Sequence, residues 1–319
     1  MQPVFRFAHL SDPHLPLLPG WPARLHHLAG KRLLGFISWR RKRHRVHRPE
    51  VLARLLDDIA AHRPDHLVMT GDLVNIALPD EFERARAWLE RVGPPDRVTV
   101  VPGNHDATVR VPWESGLGLW RPWMTGDGAS GGEPEAGPSD DGAGFPFLRL
   151  RGPVAFIGVS TAVPSPPLLA TGAVGARQAA LLETMLGELG GRGLFRVVLM
   201  HHPPLRVGRS ERKALTDRRR IQGILARTGA ELVLHGHHHR NHVASLPGPG
   251  GSTIPVMGVA SASADAAAGG QPASWNRFTV APLTDGGWRL AGAVRTCGAD
   301  GFHTDGAFEI DCGRRPIPA

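Results

Sequence analysis

Asp12 and His14, Asp72, Asn104 and His105, His201 and His202, and His237 and His239 each follow directly on a short apolar run. Carboxylate, carboxamide and imidazole are the oxygen and nitrogen donors of a divalent-metal site. No thiolate stands among them, which suits Mn, Fe or Zn rather than a soft-metal centre. Taken singly, each group is ordinary: Asp-x-His can be a turn with a surface histidine, Gly71-Asp72 a strand-to-loop turn, and His237-His238-His239 a solvated loop. What they share is position. In open α/β sheets ligands bind beyond the carboxyl ends of the strands, and here five such ends carry metal-capable residues. In an extended chain residues i and i+2 point the same way, so Asp12 is expected to pair with His14 and His237 with His239, while His238 points away. The glycine before a cluster is expected to let the backbone pass close to an ion.

The elements that must position these residues read as alternating strands and helices. Phe5–Leu10 is a short buried strand, and Pro49 opens a helix with Val51, Leu52, Leu55, Leu56 and Ile59 on one face. His66–Met69 is a second strand, residues 80–92 are helical, and residues 97–101 form a third strand. Further strands are expected at 147–150, 154–160, 195–200 and 231–234, with helices from about Gly175 to Leu189 and from a Thr216-Asp217 cap to about Thr228. Beyond His239 the pattern is one of short strands and turns without a helix. Strand–helix alternation of this kind marks an α/β fold.

The motifs Asp12-x-His14, Gly71-Asp72, Gly103-Asn104-His105-Asp106, His201 and Gly236-His237-x-His239 occur in this order, and together they resemble the calcineurin-like metallophosphoesterase superfamily. The resemblance implies an αββα sandwich of two central mixed β-sheets flanked by helices, with the metal site at the carboxyl ends of strands. It implies two divalent metal ions (Mn, Fe or Zn): Asp12, His14 and His239 on one, Asn104, His201 and His237 on the other, and Asp72 bridging them. The implied reaction is hydrolysis of a phosphodiester or pyrophosphate by a hydroxide shared between the metals. His105 would then protonate the leaving oxygen or stabilise its charge. Asp106 would orient His105 or a ligand, or else cap the next helix, and His202 would lie near substrate or merely pack. Gly172-Ala173-Val174-Gly175-Ala176-Arg177-Gln178 is similar to the bacterial phosphodiesterase branch, which includes cyclic-nucleotide phosphodiesterases.

The 319 residues carry a net charge of +8. Nine Lys/Arg and no acid fall between Arg24 and Arg48, which leaves 28 basic against 29 acidic residues elsewhere. The excess is therefore one segment rather than a basic face, and nucleic acid is an unlikely partner. Within it Leu25, Leu28, Ala29, Leu33, Phe36 and Ile37 fall on one helical face, followed by Trp39 and the block Arg40–Arg45. An apolar stripe beside a cationic block suits an interfacial helix, and residues 21–48 read as a basic amphipathic flap over the metal site. Three readings stand: contact with an anionic membrane surface or lipid substrate, a packed lid, and a nucleic-acid arm. Arg41 and Arg43 are candidate substrate contacts, as are His202 and Arg206, with Arg209, Arg212 and Lys213 behind them. A greasy cationic flap resembles that of the family's UDP-diacylglucosamine pyrophosphate hydrolases. The alternatives are a soluble cyclic-nucleotide or glycerophosphodiester phosphodiesterase, a nuclease, a nucleic-acid binder, or a membrane-docked scaffold. Residues 126–144, with five acids and no base, read as a mobile loop. Two cysteines exclude a disulfide scaffold. The first residues lack a signal peptide's charged and apolar regions, so a single domain in the cytoplasm is expected, peripheral at the inner membrane face if the flap docks there.

Overall fold

The computed structural model describes residues 4–16, 28, 30–127, 144–208, 210–284 and 286–312. Two six-stranded sheets form its centre. The first is built from β1 (Phe5–Leu10), β2 (His66–Met69), β3 (Val98–Val100), β10 (Ser274–Pro282), β11 (Trp288–Cys297) and β12 (Phe302–Cys312), in the order β12-β11-β10-β1-β2-β3. The second holds β4 (Phe147–Arg151), β5 (Val154–Gly158), β6 (Phe195–Leu199), β7 (Leu232–His235), β8 (His242–Pro247) and β9 (Thr253–Gly258), in the order β4-β5-β6-β7-β9-β8. Both are mixed. β1, β2 and β3 run parallel, as do β5, β6, β7 and β9, while β10–β12, β4 and β8 pair antiparallel.

The parallel strands β2, β5, β6 and β7 are buried along their whole length, as expected where both faces of a parallel sheet are covered. Between the sheets Phe7 of β1 meets Phe156 of β5 edge-on at 5.2 Å, and Phe195 meets Trp288 at 6.2 Å. Helices α5 (Ala176–Gly191) and α6 (Arg218–Thr228) cover the second sheet through Leu182, Leu186, Ile221 and Leu225. Helices α3 (Pro49–Ala61) and α4 (Pro79–Val92) join the main core through Leu52, Leu55, Ile59, Phe82 and Leu89. The C-terminal strands are longer than their sequence suggests. β10–β12 have 9, 10 and 11 residues and form half of the first sheet. Exposed positions on β12 and glycines such as Gly292 and Gly306 hide the alternation.

The inserted segment also departs from expectation. Lys31–Ser38 (α1) continues through a π-helical stretch, Trp39–Arg43, into His44–Val46 (α2), so the basic block is part of the helix and not a tail behind it. Leu28, Phe36 and Trp39 pack on Ile76 and Leu78, whereas Leu33, Leu34 and Ile37 are exposed, so the anticipated single face divides. Leu25 and Ala29, like most of the acidic stretch 126–144, lie outside the described residues. Lys31 Nζ donates to the Ser165 carbonyl at 2.9 Å, and Arg32 donates to the carbonyls of Ile76 and Ala77 at 3.3 and 2.6 Å. Both cysteines are free.

At the strand ends the chain turns sharply. Asp12, His14, Asp72, His237 and His239 have φ of 54°, 41°, 57°, 72° and 50°, the left-handed region that costs a non-glycine residue energy and clusters at functional sites. Asp12 and His14 therefore converge through turns, not through the strand alternation their spacing suggests. Gly103 serves the neighbouring motif rather than an ion: a Cβ there would strike the Asp72 amide and carboxylate and the His201 ring. Gly103→Ala should destabilise the fold by about 1–3 kcal/mol, read as a lowered urea midpoint with unchanged slope.

Candidate metal centre

Because β1, β2 and β3 are parallel neighbours, their carboxyl ends deliver Asp12, Asp72 and Asn104 to one edge, and β6 and β7 deliver His201 and His237 from the other sheet. Backbone and side-chain bonds fasten these strand ends to one another. His237 N donates to Asp12 Oδ2 at 3.1 Å, Gly236 N donates to the His201 carbonyl at 3.1 Å, and Ser261 Oγ donates to the Asp12 carbonyl at 2.6 Å.

Three of the four imidazoles have one nitrogen pinned to a backbone carbonyl. His14 Nδ1 lies 3.3 Å from Val74 O, His201 Nδ1 2.6 Å from Thr70 O, and His237 Nε2 3.0 Å from Lys213 O. A ring N–H donating to these carbonyls leaves the other nitrogen's lone pair for a cation. His14 Nε2 lies 3.2 Å from His239 Nε2 and 3.8 Å from Asp72 Oδ2, and His239 Nε2 lies 3.1 Å from Asp12 Oδ1. On the other side His201 Nε2 stands 3.1 Å from Asn104 Oδ1 and 3.3 Å from Asp72 Oδ2. The His237 ring is 5.0 Å from that of His201. Metal-capable atoms of Asp12, His14, Asp72 and His239 all lie within 4.8 Å of one another.

These residues fit metal ions. Asp12 Oδ1 is buried with no well-aligned hydrogen bond to accept, and lone pairs converge on both sides of Asp72 Oδ2; such burial is costly unless a cation satisfies it. Burial and the neighbouring imidazoles hold His14 and His237 well below the usual histidine range, in the neutral form that binds metal. Burial would raise the carboxyl of Asp72, but His201 and His105 pull it well below its usual range. Burial would likewise lower His201, but Asp72 and Asp12 raise it to about 9.

Asp106 accepts from the amides of Asp72 (2.9 Å), Gly103 (2.8 Å) and Val74 (3.0 Å). It neither caps a helix nor touches His105 through these bonds; it positions the Asp72 and Asn104 turns. Burial and the Asp72 charge push it up to about 7, against the pull of the amides.

His105 donates its backbone amide to Asp72 Oδ1 at 2.7 Å, and its Nδ1 is 2.6 Å from the Asn75 carbonyl. Arg43 Nη1 reaches both ring nitrogens, at 2.9 and 3.0 Å. Burial and Arg43 lower His105 to about 4.

Of the other expected contacts, His202 adjoins the cluster, its ring 4.2 Å from that of His237. His202 is fully buried, and both ring nitrogens are engaged, Nδ1 with Thr161 Oγ1 at 2.7 Å and Nε2 with the Ala170 carbonyl at 3.1 Å. It packs beside the cluster with both nitrogens spent on these partners. Arg206 is exposed and sits 3.5 Å from Glu211, Arg41 is exposed, and Arg209 lies outside the described residues. Lys213 serves through its carbonyl, not its ammonium. Sequence reading missed Glu81, whose carboxylate accepts from the amides of Asn75, Ile76 and Leu78 and shapes the loop that carries Asn75. Its signal was available, a glutamate at the third position of a helix opened by proline. It also missed His47, whose ring lies 4.4 Å from that of His14.

Removing the Asp106 carboxylate leaves three buried amides without an acceptor, at about 1–3 kcal/mol each. Asp106→Ala should lower the melting temperature and weaken metal binding roughly 10–100-fold, measured by calorimetric titration of the metal-stripped protein.

The family profile described as calcineurin-like phosphoesterase matches residues 5–241. A probable cyclic nucleotide phosphodiesterase of Synechococcus sp. is 26% identical over 240 residues, covering 74% of this chain and 79% of that protein. A glycerophosphodiester phosphodiesterase of Enterobacter lignolyticus is 27% identical over 180 residues, 56% of either chain. Among solved structures, a dimetal phosphatase from Danio rerio superposes with a TM-score of 0.56 at 14% identity, covering 97% of this chain and 99% of its own. A purple acid phosphatase from yellow lupin superposes at 0.58 and 13% identity, covering all of this chain and 57% of its own. The chain belongs to the calcineurin-like phosphoesterase family, has that family's two-sheet sandwich, and is a phosphoric ester hydrolase.

Proposed function

We propose that the chain hydrolyses phosphodiesters at a two-metal centre. The observation that carries this is the convergence of metal-capable donors on both sides of Asp72 Oδ2, 3.3 Å from His201 Nε2 and 3.8 Å from His14 Nε2. Asp12, His14 and His239 would hold one ion and Asn104, His201 and His237 the other, with Asp72 serving both. Two such ions would supply Lewis-acid activation of the phosphoryl group and of the attacking water. The names of the curated relatives, a cyclic nucleotide and a glycerophosphodiester phosphodiesterase, favour a diester over a monoester.

The chain's own residues do the rest. His105 is neutral near pH 7, because burial and Arg43 hold it low, so it has no spare proton to give the leaving oxygen. Its contact with Arg43 instead sets a fixed positive charge beside the centre, and the pair stabilises charge on the departing oxygen. The Asn75 carbonyl keeps the His105 ring in place.

A second reading concerns the substrate's remainder. Leu33, Leu34 and Ile37 are 42%, 44% and 38% exposed on a helix that also exposes Arg40, Arg41 and Lys42. That face suits an anionic amphiphile, such as a lipid-linked pyrophosphate, or the membrane surface holding it. No helix among the described residues is long and apolar enough to cross a membrane.

Mn-loaded protein should cleave bis-p-nitrophenyl phosphate and cyclic AMP faster than p-nitrophenyl phosphate. Faster cleavage of a UDP-linked acylated sugar in detergent would favour the amphiphile instead, and no diester cleavage at all would overturn the proposal. Asp72→Ala should lose bound metal and turnover together. His105→Ala and Arg43→Ala should keep the metal and slow turnover about 10²-fold each, with the double variant little slower than either single one. Unchanged turnover in both single variants would remove the pair from the mechanism.

A further inference from the structure

We infer that His47 is an additional ligand of the ion held by Asp12, His14 and His239, delivered by the inserted helix. The inference rests on the metal-centre reading and adds to it a residue from outside the family motifs.

Geometry is the first ground. Ring nitrogens of His14, His47 and His239 all lie within 4.8 Å of one another. The His47 ring is 4.4 Å from that of His14 and 5.4 Å from that of His239. Three imidazoles from distant parts of the chain thus face one another beside the Asp12 carboxylate.

The second ground is the tautomer. His47 Nδ1 lies 2.9 Å from Ser263 Oγ and 3.2 Å from Ser261 Oγ. The Ser261 hydroxyl proton is already spent on the Asp12 carbonyl, so toward His47 that oxygen only accepts. A proton on Nδ1 satisfies both serine oxygens, and that tautomer leaves a free lone pair on Nε2, which makes no hydrogen bond among the described residues. His14 and His201 are prepared in the same way, each with Nδ1 against a carbonyl. His202, by contrast, uses both nitrogens and packs. His66 and His235 also leave one nitrogen unpartnered, but neither belongs to a group of converging metal-capable atoms.

The backbone around His47 is fastened at the required place. His47 N donates to the Arg43 carbonyl, Arg48 N to the Ser263 carbonyl and Asp265 N to the Val46 carbonyl, at 2.9, 2.8 and 2.8 Å. The end of the inserted helix is thereby stitched to the loop that also supports Asp12. His47 would give the first ion a third imidazole beside His14 and His239. The second has Asn104, His201, His237 and Asp72. Imidazole-rich sets favour Fe, Zn, Co or Ni over Mg or Ca, so the first ion should be the more tightly held and the more selective.

The test is Co(II) titration of metal-stripped protein, followed by visible absorption and by metal content after dialysis. Wild type should bind two ions. His47→Ala should weaken one of them at least about tenfold and alter the d–d spectrum of the first equivalent, and free imidazole should restore both. Ser263→Ala, which frees the ring without removing it, should shift affinity in the same direction by less, and it decides the matter if His47→Ala does not fold. Two ions bound with wild-type affinity and spectrum in both variants would overturn the inference and leave the metal centre standing. If wild type itself binds no Co(II), the metal centre falls and the inference with it.

Discussion

The carboxylate of Asp72 is the constraint on which the strand ends depend. It is buried and accepts the His105 amide on one oxygen, and its other oxygen faces the lone-pair sides of two imidazoles. Asp12 and Asp106 are buried nearby, so three acidic groups share a volume from which water is excluded. Charges there repel one another and lose their hydration, and only cations in the same volume recover the cost. The crowding shows in the neighbouring groups: burial and the Asp72 charge raise Asp106, and Asp72 and Asp12 raise His201. The left-handed backbone at Asp12, His14, Asp72, His237 and His239 is a second cost of the same arrangement, and three amides directed at Asp106 keep the Asp72 turn from relaxing.

The inserted helix belongs to this arrangement although it lies outside the sandwich. None of its residues from Lys31 to Val46 is fully buried. It is held by polar anchors, Lys31 on Ser165, Arg32 on the 76–77 carbonyls and Arg43 on His105 and Gly35, with Phe36 and Trp39 resting on Ile76 and Leu78. Gly35 allows the close approach, since a Cβ there would meet the Ile76 side chain at 2.7 Å. The π-helical turn at Trp39–Arg43 changes the phase of the helix just before Arg43 and His47, as such turns do at functional sites. Arg43 then reaches inward while Arg40, Arg41 and Lys42 stay in solvent.

Strand order along the chain and the identity of the motif residues were legible in the sequence, because parallel strands read as continuous apolar runs and because each run ends in a metal-capable residue. The alternation argument paired Asp12 with His14, which left-handed turns bring together, but His237 lies against His201 while His239 joins Asp12 and His14. Gly103 reads as room for an ion and is in fact room for Asp72. Contacts that depend on three-dimensional closure were not legible. Nothing local distinguishes Arg43 from Arg41, or marks His47 as different from His44; their roles follow from helix phase and from the loop at 261–265, more than two hundred residues away. His202 was ambiguous because its two partners, Thr161 and Ala170, come from a loop whose path the sequence does not reveal.

The magnitudes limit what the exposed face of the insert can do. Fully burying a Leu or Ile side chain is worth about 1.5–3 kcal/mol, and Leu33, Leu34 and Ile37 are already more than half covered. Covering the remainder contributes roughly 1 kcal/mol apiece, and each Lys or Arg at an anionic surface adds about 1 kcal/mol. The sum supports weak, reversible contact with a lipid surface, or the grip on one acyl chain of a substrate, and falls short of a permanent anchor. A helix held on the body by polar anchors, with an outer face worth so little, could dock on such a surface and release without disturbing the core or the contact of Arg43 with His105.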